Sequence, residues 1–363
     1  MNFGLLRSMA VSAILAATVL GVGAAPVAAH ARIYFVFEPL TVGAQCVGGY
    51  AAPDEQVSVT WKKHNGNLRA SGQVMSSDSG WFQLCTTHGG LAYGDRLKAS
   101  DGVSTDWLTV PALTVVVDRT ADVYHGLAPA NSTLELTYEV GILADYEPTT
   151  EVTAAPDGTW QYSEDELDIL AGFDATLVWT SPGGDSVEVD SIAPEVDVSV
   201  GSAQVYVNAP AGAPVSVELR DGTTNALLAT GQPINDYTYE FMNNGHAVDV
   251  AAGERVVDTA LWPDINWIVP VITATANVET DKVHGQCGDG SNMYGLINVE
   301  IHRTGQTRGS AWLDTDSSGS FHVSFRGHPD LGFDPANIKH GDRVSVGCIL
   351  ATGDWVTGWF RVP

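Results

Sequence analysis

The chain has 363 residues, 44% of them hydrophobic, and a formal net charge of −26. It is too long for one small module, and its 38 Gly and 17 Pro follow no fibrous period, so several compact domains are expected. With 43 acidic against 17 basic residues, a phosphate backbone would be repelled, which excludes nucleic acid as an expected partner.

The first element in chain order is an export signal over residues 1–31. It joins Arg7, the apolar run VSAILAATVLGVGAA and the small residues APVAAHA, with cleavage expected after Ala31. The run is short for a membrane span, so removal rather than anchoring is expected, with no membrane insertion afterwards. No Cys follows to accept a lipid, and the end at Pro363 has no sorting motif. The mature protein is expected to be secreted, either free outside the cell or at the cell surface.

Residues 32–111 contain TVGAQC, VSVTW, SSDSGWFQL, YGDRLKAS and DWLTVP in that order. Residues 271–363 contain KVHGQC, INVEI, DTDSSGSFHV, HGDRVSVG and WFRVP in the same order, so a whole unit is repeated. Two degenerate copies fill 112–194 and 195–270, the first with LELTY, PDGTWQY and LAGFDATLVW, the second with VSVEL, NDYTYEF and AAGERVVDTALW. The third copy lacks the Gly in its central turn.

Within each unit apolar and polar residues alternate with period two, and HNGN, SDSG, SPGGD and RDGTT supply turns. Short strands with regular turns predict an all-β fold of four β-sandwiches. One helical turn is expected at SEDELDILAG, where Ser163 and Glu166 have capping-box spacing. Gly94-Asp95, Gly172-Phe173-Asp174, Gly253-Glu254 and Gly341-Asp342 precede a late strand in the four units and are read as strand-opening turns. The joints VPAL, IAPEV and VPVI are short and contain Pro, which predicts modules stacked in an elongated, fairly stiff rod.

The four Cys sit two near each end of the mature chain. Local pairing of Cys46 with Cys85 and of Cys287 with Cys348 is expected in an oxidising compartment. Each bridge would restrict the unfolded chain by roughly 3 to 4.5 kcal/mol.

The SDSGWFQL, PDGTWQY and DSSGSFHV turns, followed by YGDRLKAS or HGDRVSVG and a Pro-terminated last strand, resemble bacterial immunoglobulin-like (Ig-like) repeats of surface and adhesin proteins. The resemblance spans about residues 32 to 363. It implies stacked sandwiches used as a stalk, an adhesive arm or an envelope component.

Charge is uneven along the chain: 16 acidic residues face a single Arg in 112–194, and 10 face two in 195–270, while the outer units are close to balance. A solvated surface is the simplest reading. The alternatives are a basic partner and a calcium-dependent joint, which would draw on Asp118 and Asp122, or on Glu195 and Asp197. Asp314 and Asp316 begin a run with the spacing of a calcium loop, but position twelve is Phe325, and a hairpin turn is preferred.

In DWLTVP, Leu108 and Val110 share a face, as do Phe360 and Val362 in GWFRVP. Trp107 and Trp359 are therefore expected to point outward, as a packing surface or as a sugar or partner anchor. Trp81, Trp160 and Trp179 are expected in the core. His302 and His322 are expected to share an outer face, without a third ligand to make a metal site.

There is no GxSxG, HExxH, P-loop or dinucleotide-binding glycine motif. The expected function is a non-catalytic structural or adhesive component at the cell surface, without a cofactor unless calcium binds. The alternative is a polysaccharide-binding module or an accessory part of an extracellular enzyme. Expected partners are an envelope protein, a polysaccharide or further copies of the chain through exposed strand edges.

Overall fold

The computed structural model describes residues 34–35, 44–140, 147–163, 167–210, 212–260, 262, 265–326 and 335–363. The expected signal peptide and Glu166 of the expected capping box lie outside them. Among the described residues the protein is all-β, with no helix.

Alternation builds the cores. In Gln56–Lys62 the side chains of Val57, Val59 and Trp61 are buried and those between them are not, because successive residues of a strand face opposite sides. This strand belongs to a four-stranded sheet in the order Leu68–Met75, Gln56–Lys62, Arg96–Ser100, Thr105–Thr109. Opposite it stand Tyr34–Phe35, Cys46–Tyr50 and Trp81–Cys85. Val47 and Phe82 from the smaller sheet meet Val57, Val59, Trp61 and Leu97 from the larger in one core.

The same four-over-three arrangement recurs twice. From Thr114 to Ile192, the sheet Thr149–Thr153, Thr133–Tyr138, Asp174–Thr180, Ser186–Ile192 faces Thr159–Tyr162, Val123–Leu127, Thr114–Asp118. From Ile272 to Arg361, Gln306–Asp314, Met293–Arg303, Arg343–Leu350 and Trp355–Arg361 face Ile272–Asn277, Lys282–Cys287 and Ser320–Ser324. In all three the fourth strand lies beside the third, rather than in the sheet of the first, second and fifth as in a constant-type immunoglobulin domain.

Between Glu195 and Ile268 the strands form one continuous sheet. Leu227–Pro233 pairs on one side with Val217–Arg220 and on the other with Thr238–Asn243, joining the two halves. That sheet then continues into the last sandwich, because Asp197, Val198 and Ser199 pair in parallel with Trp355, Val356 and Thr357. The end-to-end stacking expected from the short joints is therefore modified: the last two segments lie side by side in one 12-stranded sheet. Each of these two strands would otherwise be an edge with unpaired backbone groups, and pairing satisfies both.

Both expected disulfides are present. Cys46 and Cys85 are cross-strand partners within one sheet, whereas Cys287 and Cys348 join the two sheets of the last sandwich through its core.

The strand-opening turns do more than turn. Gly94 and Gly341 have φ of 79° and 85°, a region that favours glycine, and each is followed by a buried acid. Asp95, 1% exposed, accepts from Trp61 Nε1 at 2.8 Å and from Ala92 N–H at 3.2 Å, and pairs with Arg69 Nη2 at 3.2 Å. Asp342 repeats the pattern, accepting from Lys339 N–H at 2.8 Å and from Arg303 Nε and Nη2 at 2.7 Å each. Glu254 takes Ala251 N–H at 2.7 Å in the same way. In the second sandwich the inserted Phe173 is buried instead and Asp174 is exposed.

Asp95→Ala strands both Arg69 and the Trp61 N–H in the core, so unfolding in urea is expected to show a loss of about 3–5 kcal/mol. Asp342→Ala, whose Arg303 partner is partly solvated, is expected to cost less. Equal losses would contradict the burial argument.

Candidate functional site

The two tryptophans expected outside are outside: Trp107 is 64% exposed and Trp359 40%. Trp107 stands on the edge strand of the first four-stranded sheet and Trp359 on Trp355–Arg361, the strand that joins the last sandwich to Glu195–Ser199, with inward neighbours in the core: Leu108 and Val110 in the first sandwich, Phe360 and Val362 in the last. Lys98 is the cross-strand partner of Trp107 and places its Nζ 5.0 Å from the ring centroid. Arg343 sets its guanidinium carbon 4.9 Å from the Trp359 ring. The His302 ring lies 4.9 Å from Trp359, tilted by 49°, with Nε2 2.9 Å from Ser345 Oγ and 3.0 Å from Glu300 Oε2. On the same outer face Trp355 lies across Gly347 and meets Trp312 edge-on at 5.5 Å.

The other expected positions divide. Trp160 is buried, while Trp81 and Trp179 are only partly so; the fully buried Trp61 was not singled out by the strand pattern. His302 and His322 do not share a face. His302 stands in the large sheet, whereas His322 pairs with His284 in the opposite sheet, because the turn at Asp316 carries the chain across the sandwich.

Asp314 is exposed at a strand end opposite Leu296. Asp316 Oδ1 accepts from Ser318 N–H, Ser318 Oγ and Ser320 N–H, and these bonds hold its carboxyl below the usual carboxylate range. Asp118 takes the N–H groups of Thr120 and Ala121, and Asp122 takes that of Ile169. Among the described residues no group of three or more His, Cys, Asp or Glu is placed to hold a metal ion.

Sequence reasoning missed a junction of buried charges. Asp354, at the tip of the last hairpin, is fully buried and takes Arg119 Nη2 at 3.0 Å, Thr352 Oγ1 at 2.8 Å and Val196 N–H at 2.9 Å. Arg119 also donates to Pro194 O at 2.6 Å. The only signal in the sequence was that Arg119 is the single basic residue in 112–194.

Glu195 and Asp197 stand beside this pair. Burial pushes the Asp197 carboxyl up to about 8, and the neighbouring Glu195 and Asp354 add to the effect. Its Oδ1 is buried with no hydrogen-bond partner among the described residues. Glu195 is also raised, by burial first and then by Asp354. For Asp354 burial raises the carboxyl while Arg119, Thr352 and Val196 N–H pull the other way.

A cleft between the first three segments is lined by Tyr93, Pro111, Leu113, Ile192 and Pro210, with Asp174 and Asp190 at its side. Asp174 is exposed as a residue, yet partial desolvation of its carboxyl beside the cleft raises it, with Glu147 and Asp190 adding to the effect; Asp190 accepts from Thr176 Oγ1 at 2.8 Å.

No known protein family and no curated protein matches the chain. Solved structures similar to it include the tetra-tandem repeat in the extending region of a large adhesion protein, 16% identical over 92% of this chain and 99% of that one, with a TM-score of 0.18. The BSP domain of a biofilm-associated protein is 7% identical over 95% and 98%, with a TM-score of 0.19. A calcium-stabilized adhesin with which an Antarctic bacterium binds ice is 15% identical over 92% and 99%, with a TM-score of 0.17. Likeness at this level decides neither domain arrangement nor function.

The junction makes stability depend on pH. In the unfolded chain Asp197 and Glu195 ionise near pH 4. Between there and about 8 the folded protein holds the extra proton on Asp197, so stability falls as pH rises through that window, by up to about 1.4 kcal/mol per pH unit for one proton. Asp197→Asn is expected to raise the melting temperature at pH 8 and to flatten its change between pH 5 and 8. Parallel pH profiles of variant and wild type would contradict this account.

Proposed function

We propose that this chain is a secreted, non-catalytic protein that acts at the cell surface as a structural or adhesive component. It is built of Ig-like sandwiches at 32–111, 112–194, 195–270 and 271–363. The observation that supports this reading is the outward pair Trp107 and Trp359, held on rigid sheets at the two ends of the described chain. A large aromatic ring kept out of the core suits an anchor for a partner or a glycan. The two disulfides suit an oxidising, extracellular setting.

A polysaccharide-binding module is the second reading, favoured by the stacked cations beside both rings. Self-association would use the outer edge of Gln306–Asp314, which among the described strands has a neighbour on one side only. Calcium at Asp314 and Asp316 would have to compete with the three donors that Asp316 already accepts within its own turn.

The test is surface labelling of intact producing cells, combined with attachment assays on a deletion strain. Protease-accessible protein on the cells and at least a twofold loss of attachment are expected. Protein found only in the medium, with attachment unchanged, would overturn the reading.

A further inference from the structure

The outer faces around Trp107 and Trp359 share a plan that the other described sheets lack. In the first sandwich the cross-strand rows are Lys62, Arg96, Thr109 and, next to it, Thr60, Lys98, Trp107. In the last they are His302, Arg343, Arg361 and Glu300, Ser345, Trp359. The tryptophans correspond between the repeats, and so do Arg96 and Arg343 of the two Gly-Asp-Arg motifs. Each ring has a cation stacked on it and more cations one row away.

Two features say that these cations are free for a ligand. The chain has only 17 Lys and Arg in a total charge of −26, yet five of them, Lys62, Arg96, Lys98, Arg343 and Arg361, gather on these two faces. Among the described residues none of the five has a carboxylate partner, whereas Arg69, Arg119, Arg220, Arg303 and Arg326 all do. Arg343 and Arg361 stand directly opposite each other, a like-charge pairing that costs stability unless an anion lies between them. The sandwich fold does not demand the arrangement, since the second sandwich carries Thr176, Glu188 and Asp190 on the corresponding strands.

We propose that these two faces bind anionic polysaccharide, a pyranose chain bearing carboxylate or sulfate groups. The apolar face of a sugar ring packs on each Trp, and the acid groups take Arg343 with Arg361 at one face and Lys62, Arg96 and Lys98 at the other. Guanidinium groups suit this role because their planar fork matches carboxylate and sulfate oxygens. Two equivalent faces on one chain make binding to a polymer multivalent, so weak single contacts add. The acidic middle segments repel the same polymer and confine it to these faces. The assignment names the ligand class of the adhesive reading above and rests on it for its biological setting.

The test is affinity electrophoresis of the purified full chain in native gels containing polygalacturonate, dextran sulfate or neutral dextran. Retardation by at least one anionic polymer, relieved by salt and absent in neutral dextran, is the expected result. The two anionic gels tell carboxylate from sulfate. Trp359→Ala and Arg343→Ala should each weaken binding about tenfold without lowering the melting temperature, a loss typical of an interface anchor, and Arg343→Ala should raise it slightly in the absence of polymer by relieving the like-charge pairing. Trp107→Ala combined with Trp359→Ala should abolish it. No retardation by either anionic polymer, equal retardation by neutral dextran, or an undiminished double variant overturns the assignment. Failure in the gels with protein still on the cells removes the glycan assignment alone; retardation by a protein absent from cells removes the surface role alone.

Discussion

Asp354 sits where three stretches of chain converge, and the position of the last sandwich depends on it. Its carboxylate gathers the only basic side chain of 112–194, a hydroxyl from its own hairpin and the backbone N–H of Val196. The hairpin tip fits closely: Ala171 N–H donates to Thr352 O at 2.9 Å, and a Cβ on Gly353 would meet Ala171 N at 2.4 Å. An ion pair taken out of water is costly, and here the added hydrogen bonds offset that cost. Directly after Asp354, Trp355 comes into register with Asp197, and the parallel pairing that fuses the last two segments begins. The clamp thus places two segments side by side that short Pro-containing joints alone would leave end to end.

The same junction gathers more carboxylate than it neutralises. Glu195 and Asp197 share its buried surroundings with Asp354, while among the described residues Arg119 is the one cation bonded there. A single base among many acids can satisfy one of them; burial and mutual repulsion push the carboxyls of Asp197 and Glu195 up. Elsewhere the repeat solves the problem differently. Asp95 and Asp342 are buried too, but each has its own arginine and a backbone N–H three residues earlier. For Asp342 the bonds to Arg303 come first in holding the carboxyl below its usual range.

Division of labour follows from this. The middle of the chain directs its polarity to internal bonding and solvent, with Asp118 and Asp221 capping local backbone and Asp122 taking the distant N–H of Ile169. The sheets at the two ends of the described chain keep an aromatic ring and unpaired cations on their outer faces. A scaffold whose cores are complete without those rings can present them to a partner with little rearrangement.

Much of this was legible beforehand in particular residues. Period-two alternation is a property of neighbouring positions, so it revealed the strands, the inward faces and the outward Trp107 and Trp359. Cys pairing followed from proximity in sequence and from the expected compartment, and the Gly-Asp turns from local backbone needs. What the turns hold was not legible: that Asp95 reaches Trp61 and Arg69 requires strands far apart in sequence to be brought together. The same is true of His322, which the tertiary fold moved to the opposite sheet from His302, and of the fourth strand's choice of neighbour. Local order therefore came from the sequence by itself, because adjacent residues dictate it. The clamp at Asp354, the raised Asp197, the fused 12-stranded sheet and the clustering of free cations around the two tryptophans were decided only by tertiary structure. The clamp, the raised Asp197 and the fused sheet bring together residues more than a hundred positions apart, and the cation clusters depend on which strands pair side by side, which no spacing rule along the chain encodes.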